Sequence, residues 1–407
     1  MEKEVLGVKI GIFTDSYKPY TSGVVTSITT FKRELEQLGH QFFIFAPNYP
    51  NYVESEEGVY RFYSVPAPTN PDFTLAIPVF PGMKYLLRKL DLDIIHVHSP
   101  FTMGRVGLHY ARRLGLPIVF TYHTLYDQYI HYLPVAQELA REMTIKFANN
   151  FCRQVDHIIV PSSEVSNILC SYNIPTPISV IPTGVPVERF RALDCKGNVL
   201  RERYDIPAEN KILLNVGRLT KEKNLEFLLD AFARVHQQNP QTTLVITAQG
   251  PLESALKQQA VYLGLKLERD VIFTGAVPFE TLIQVYYSAD LFVFSSMTET
   301  QGLVLIEAMA AGLPVVAIRA YGVADMVDHG INGFLTACDQ DEFTGAILRL
   351  LSDDKIYHYF RNNALVKAEQ VSSQNMALQL EKVYQQLINT HVHRRSRVYD
   401  WLSRMVP

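Results

Sequence analysis

Short β-branched or aromatic runs alternate with longer stretches of helical spacing from one end of the chain to the other. Residues 8–14 read as a strand, 24–38 as a helix stopped by Gly39, and 41–46 as the next strand. A helical stretch at 83–90 precedes a strand at 93–98. A second, at 104–114, precedes one at 118–123, and a further strand follows at 157–162. The pattern then begins again. Strands are expected at 211–216, 243–248, 271–274, 291–295 and 315–317, with helices at 224–238, 252–263, 280–288 and 303–311. Strand–helix alternation of this kind predicts parallel sheets covered by helices on both faces.

The restart predicts two doubly wound α/β domains, since no repeat of 20–50 residues points to an array. Polar and small residues replace the apolar pattern around 191–198, so the domains are drawn at 1–192 and 193–375. A helical tail at 376–407 is expected to pack back on the first. Two such domains imply a cleft, and ligands of such sheets bind at the carboxyl ends of the strands. Chemistry is therefore sought just after strands.

Composition narrows the field. The chain has 407 residues, 47% hydrophobic, enough for a core in each domain. A net charge of −3 does not suggest nucleic acid, which demands a strongly basic surface. The four cysteines, Cys152, Cys170, Cys195 and Cys338, are scattered and form no C-x-x-C pair, which fits free thiols in a reducing compartment. The start, MEKEVLGVKIGIF, is too charged for a signal peptide, and no run reaches the ~20 apolar residues of a membrane span. The expectation is a cytoplasmic protein, at most peripheral on the inner face of the membrane.

Four stretches follow strands and carry chemistry. Gly23 opens the first helix; a glycine there lets a phosphate approach the amides of Val24 and Val25, though a tight turn would serve as well. In Gly217-Arg-Leu-Thr-Lys-Glu-Lys223, Arg218 can fork two hydrogen bonds to a phosphate and Lys223 adds a point charge; a solvated charged loop is the plainer alternative. Glu299 precedes a helix opened by Gly302 and Leu303 that carries Glu307. Eight residues at about 100° each would leave the two carboxylates about 80° apart on one helix, but Glu299 lies before the helix and escapes that constraint. A carboxylate accepts two hydroxyls, as vicinal sugar hydroxyls would offer. His123 ends a buried strand, where it can donate to a sugar hydroxyl or simply support the core. Two other signals read as structural. Asp91-Leu-Asp93 resembles a metal-binding D-x-D but lies in a helix-to-strand turn, and His96 and His98 share a strand face without a third ligand, so no metal is expected.

Taken together, these residues resemble the GT-B-fold retaining glycosyltransferases of family GT4. The most specific stretch runs from Phe273-Thr-Gly-Ala-Val-Pro278 through Tyr286-Tyr-Ser-Ala-Asp-Leu-Phe-Val293 to Glu307-Ala-Met-Ala-Ala-Gly-Leu-Pro-Val-Val-Ala317. Asn215-Val-Gly-Arg-Leu219, Ile181-Pro-Thr-Gly-Val185 and the E-x7-E pair Glu299 and Glu307 also match. The resemblance implies that Glu307 holds the donor ribose, that Glu299 contacts the transferred sugar, and that Arg218 and Lys223 neutralise the diphosphate. It places Gly23, Gln301, Gly302 and Leu303 around the phosphates, Thr274 and Gly275 near the base, and His123 by the sugar. One departure is Ala248-Gln-Gly-Pro251, where Gln249 replaces a common acidic residue.

Ile12-Phe-Thr-Asp-Ser-Tyr-Lys-Pro-Tyr20, Gly23-Val-Val-Thr-Ser27 and Thr121-Tyr-His-Thr-Leu-Tyr-Asp-Gln-Tyr129 look like the bacterial diacylglycerol glucosyltransferase branch. That likeness implies UDP-glucose as donor, a lipid acceptor near Tyr126 and Tyr129, no cofactor, and contact with an anionic membrane. Lys84, Arg88 and Lys89 lie among Phe80, Met83, Leu86 and Leu87; Arg105, Arg112 and Arg113 follow; the tail carries Arg394, Arg395, Arg397 and Arg404 beside Trp401, Leu402 and Met405. An amphipathic helix packed on the core accounts for 80–90 equally well. Retention of anomeric configuration, with the leaving phosphate assisting the acceptor's proton transfer, follows from the resemblance alone. The competing readings are a transferase with a soluble or polyprenyl-linked sugar acceptor, a nucleotide-sugar epimerase, and a non-catalytic nucleotide-binding or membrane-associated protein. Oligomeric state stays open.

Overall fold

The computed structural model describes residues 7–67, 70–123, 137–192 and 198–403, with side chains at all of these but 70–72, 137–141 and 393–403. The chain divides into two compact units, Met1–Thr183 with Met376–Pro407, and Gly184–Asn375. Part of the boundary expected around 191–198 lies outside the described residues.

The first unit is built on a parallel sheet. Its strands are β1 (Lys9–Phe13), β2 (Gln41–Pro47), β3 (Val59–Phe62), β6 (Ile94–Val97), β7 (Ile118–Thr121), β8 (His157–Val160) and β9 (Ile178–Val180). Their order is β3-β2-β1-β6-β7-β8-β9. β4 (Ser64–Ala67) and β5 (Asn70–Ala76) form a separate antiparallel pair. Strands covered on both faces must be apolar throughout, and Ile94–Val97 and Ile118–Thr121 are buried at every position. The helix Thr102–Leu114 lies close against β1 and β6 because glycines permit it. A Cβ on Gly107 would sit 2.6 Å from Val97 Cγ1, and one on Gly104 1.8 Å from the Ser99 carbonyl oxygen.

The second unit repeats the plan with β10 (Lys211–Val216), β11 (Thr242–Thr247), β12 (Val271–Gly275), β13 (Leu291–Phe294), β14 (Val315–Ile318) and β15 (Gly333–Thr336). Its order is β12-β11-β10-β13-β14-β15, parallel throughout. Leu213, Leu244, Val271, Leu291 and Val316 pack with Leu228, Phe232, Phe343 and Ile347 of the covering helices to form its core. Both sheets therefore reverse direction beside their first strand: at β1 and β6 in the first unit, at β10 and β13 in the second. In doubly wound folds the loops leaving those two strands diverge to opposite faces, and the crevice between them receives ligands.

The helix Ser373–Ser403 starts in the second unit and continues into the first. There its Tyr384 hydroxyl lies 2.6 Å from His96 Nδ1, and Glu381 Oε1 lies 3.2 Å from His40 Nε2. Among the described residues no helix is long and apolar enough to cross a membrane.

Candidate active site

In the second unit, the backbone of the loop after β10 is strapped to the loop after β13. Ser295 Oγ donates to the Lys223 carbonyl at 2.8 Å, and Met297 N donates to that of Glu222 at 3.1 Å. The straps bring the side chains together: Lys223 Nζ forms an ion pair with Glu299 Oε1, the two side chains 22% and 15% exposed. Arg218, five residues before Lys223, is exposed, while its neighbour Leu219 is buried under the loop after β11. Gly250 makes that approach possible, since a Cβ there would lie 2.4 Å from the Leu219 carbonyl oxygen. Gln249 is exposed, and its carbonyl accepts from Leu219 N at 3.1 Å, so its backbone binds the loops together whatever its side chain does.

The helix Leu303–Ala310 begins at Gly302, which has φ +77° and offers no side chain to cap the first amides. Leu305 N donates to the Gly302 carbonyl at 3.0 Å, and the N–H groups before it and the positive end of the helix dipole suit an anion. Gln301 is buried beside it. One turn further on, Glu307 is half-buried and its Oε2 accepts a 2.8 Å hydrogen bond from the Tyr286 hydroxyl. Burial raises the Glu307 pKa, and the tyrosine bond works against that; burial and the facing carboxylate push the Tyr286 pKa well up. Thr274 and Gly275 end β12, half-buried, with Thr274 Oγ1 3.0 Å from Thr247 Oγ1 and Gly275 at φ +73°.

In the first unit, Gly23 is the first residue of the helix Gly23–Gln37. Ser22 caps that helix by accepting from Val25 N at 3.4 Å, so of the two amides expected to face a phosphate only that of Val24 is left without this cap. The loop after β1 carries Asp15, which caps the helix Thr102–Leu114: its Oδ1 accepts from Met103 N at 3.1 Å and Oδ2 from the Ser99 hydroxyl. Burial raises the Asp15 pKa despite those bonds. His96 and His98 share a strand face as expected, with ring centroids 4.3 Å apart, and His98 Nδ1 lies 2.8 Å from His123 Nε2. Burial pushes His96 and His123 down to about 3 and His98 well below its ordinary range, so all three rings are neutral at physiological pH. Tyr126 and Tyr129 lie outside the described residues.

Residues 21–189 match the family model "Glycosyltransferase Family 4", and residues 198–366 match "Glycosyl transferases group 1". The chain is 34% identical over 384 residues to an alpha-monoglucosyldiacylglycerol synthase of Streptococcus pneumoniae, spanning 93% of this chain and 85% of that one. An enzyme of the same name from Acholeplasma laidlawii is 28% identical over 396 residues, 94% of this chain and 98% of its own. The fold matches that of a sucrose-phosphate synthase from Thermosynechococcus elongatus at a TM-score of 0.75, with 22% identity over 94% of this chain and 100% of that one.

The chain belongs to glycosyltransferase family 4. Its fold is GT-B, with two Rossmann-like units, and it is a glycosyltransferase.

The basic stretch of this glycosyltransferase differs in part from the expectation. Lys84, Arg88 and Lys89 are exposed on the helix Met83–Leu90, but Met83 and Leu87 are buried, and Phe80 and Leu86 pack against the same core. Apolar residues four apart turn inward as a pair, so they are not surface anchors. The outward apolar residues nearby are Tyr85, 76% exposed, and Val79, 66% exposed. The side chains of the tail arginines and of Trp401 lie outside the described residues. Asp91 and Asp93 form the turn between that helix and β6, with Asp93 Oδ2 accepting from Lys9 N at 2.8 Å.

Sequence reasoning assigned no role to Tyr286, Asp15 or Ser295. A buried tyrosine in an apolar helix signals a hydroxyl in need of a partner, but not which carboxylate 21 positions away receives it.

Proposed function

We propose that the protein transfers a hexose, with retention, from a nucleotide diphosphate sugar to a diacylglycerol-like lipid, and that the donor is UDP-glucose. The observation that carries the reading is the switch point of the second unit, where Arg218, the Lys223–Glu299 pair and the open amides of Gly302 and Leu303 combine. That set suits a diphosphate that gains charge as it leaves. Cations and oriented N–H groups stabilise such charge without moving when the reaction occurs. Glu307, held by Tyr286, suits the ribose hydroxyls, and Glu299 the transferred sugar; Thr274 and Gly275 border the base. In the first unit, His123 and Gly23 lie past the carboxyl ends of its strands, and the acceptor is assigned to that unit. The acceptor hydroxyl attacks the anomeric carbon as the bond to the phosphate oxygen breaks, and its proton passes to the departing phosphate.

The lipid acceptor is supported by the two relatives named for monoglucosyldiacylglycerol, whose likeness runs through both units. Lys84, Arg88 and Lys89 present a basic face that suits an anionic bilayer, with Tyr85 at the interface.

The test is a donor-and-acceptor assay on purified protein. UDP-glucose, GDP-mannose and other donors are offered with and without diacylglycerol in anionic vesicles, and with EDTA in parallel. Lipid-dependent UDP release, a glucosyl-lipid product and indifference to EDTA are expected. UDP release indifferent to lipid would return the acceptor to a soluble or polyprenyl-linked sugar. Conversion of the donor without any acceptor would mean epimerisation.

A further inference from the structure

β6 and β7 are neighbours in register, His96 pairing with Val119 and Val97 with Phe120, and each carries a histidine at or just past its carboxyl end. The histidines have different surroundings. His96 is fully paired: Nδ1 lies 2.6 Å from the Tyr384 hydroxyl and Nε2 2.6 Å from Thr121 Oγ1. Hydroxyls donate or accept as needed, so His96 fits either tautomer. His98, 3% exposed, has one nitrogen paired and one orphaned: Nδ1 meets His123 Nε2 at 2.8 Å, and Nε2 is buried without a hydrogen-bond partner among the described residues. The His98 and His123 planes differ by 20° with centroids 5.1 Å apart. A 2.8 Å N–N contact within that spacing describes two nearly coplanar rings meeting edge to edge.

Two neutral imidazoles share one proton across such a bond, and the orphan decides which ring supplies it. If His123 held its proton on Nε2, His98 would accept at Nδ1 and carry its own proton on Nε2. That would bury an N–H donor with nothing to receive it, the rarer orphan in folded proteins. If His98 holds its proton on Nδ1, only a lone pair is left bare, and His123 then carries its proton on Nδ1. We infer that His98 is a positioning residue: it donates from Nδ1 to His123 Nε2 and fixes His123 as the Nδ1–H tautomer, whose remaining N–H is offered to a hydroxyl of the bound ligand.

A hydrogen bond on one ring nitrogen sets the state of the other, so His98 acts on the ligand only through His123. That ligand role rests on the proposed transferase reading, whereas the tautomer does not. Asparagine places an N–H near the position of histidine Nδ1, so His98→Asn preserves the donor and His98→Leu removes it.

The experiment is 15N NMR of the full-length protein labelled at histidine, the His123 signals being identified by their loss in His123→Gln. Wild type and His98→Asn are expected to show His123 protonated at Nδ1 with a bare, hydrogen-bonded Nε2. His98→Leu is expected to return His123 to the Nε2–H form favoured in water. In the transfer assay, His98→Leu should lose about tenfold in kcat/KM, the worth of one good hydrogen bond, and His98→Asn should stay within a few-fold of wild type. His123 protonated at Nε2 in the wild type overturns the inference, and so does equal impairment of the two variants. If His98→Leu does not fold, wild type and His98→Asn still decide it. An absence of transfer to any lipid, with the Nδ1–H tautomer present, would count against the acceptor reading and leave the tautomer assignment standing.

Discussion

The two switch points occupy the same place in two similar sheets and are built on opposite electrostatics. In the second unit, Arg218, Lys223 and Glu299 gather charge in loops that keep contact with water, Lys223 and Glu299 compensating each other, while Glu307 sits half-buried on the helix that follows. In the first unit, burial without a counter-ion holds His96, His98 and His123 neutral and raises the Asp15 pKa. A charged, partly wet site can take an anion and stabilise its change of charge. Buried, neutral imidazoles cost less to desolvate and read a ligand by hydrogen bonds. The contrast fits the proposed division of labour, in which the loops of the second unit carry the donor's phosphate charge and the histidines of the first read a hydroxyl.

The largest expected effect is on the charged side. Arg218→Ala should lower kcat by about 10²–10³ with the melting temperature unchanged, because the guanidinium is exposed and its loss opens no cavity. Near-normal turnover would remove Arg218 from the diphosphate and break the contrast at its strongest point. Next comes the basic face of the first unit. Replacing Lys84, Arg88 and Lys89 together with glutamine should cost about 3 kcal/mol of binding to anionic vesicles at low salt, or roughly 10² in partition, at about 1 kcal/mol per base. Activity on detergent-dispersed acceptor should hold. Unaltered partition in vesicle sedimentation would move the docking surface elsewhere. Smaller again is Tyr286→Phe, which removes a single bond to Glu307 worth about 1 kcal/mol and should raise the donor KM about fivefold. The effect should vanish with a donor lacking the 2′ and 3′ ribose hydroxyls. An equal loss with that donor would make Tyr286 a packing residue only.

How much of this was legible in the sequence depended on whether the deciding contact was local. Lys211–Val216 and Met83–Leu90 were read to the residue because a buried strand and an amphipathic helix impose their own periodicity. β3 was missed: it pairs only with β2 at the sheet's edge, and Arg61 breaks its apolar run. β4 and β5 carry Pro66 and Pro71, which argue against strands and are tolerated in a two-stranded pair. In the second unit, the E-x7-E pair of the family resemblance marked both carboxylates, Glu299 and Glu307. Their partners, Lys223 at 76 positions' distance and Tyr286 at 21, are set by strand order, which no local pattern records. The basic helix shows the same limit. Its amphipathicity was visible, but that Phe80, Met83, Leu86 and Leu87 belong to the inner face depends on the core they meet.

The smallest expected effect is the one that best separates the protein's reasons for a residue from a ligand's. Most glycines here are explained by the fold: Gly104, Gly107 and Gly250 each lie where a Cβ would strike a neighbour. Gly23 is different. A Cβ there would meet nothing within 4 Å, and its φ lies outside the left-handed region, so neither crowding nor backbone conformation calls for glycine. Alanine is the better helix former by up to about 1 kcal/mol, so the fold alone would favour it. Gly23→Ala should therefore leave the melting temperature unchanged or slightly higher. If a ligand's phosphate or sugar approaches this backbone, the added methyl group should still cut kcat/KM a few-fold. A variant both more stable and fully active would mean that the open space at Gly23 holds only water, and the first unit would then meet its ligand through His123 without help from the helix end.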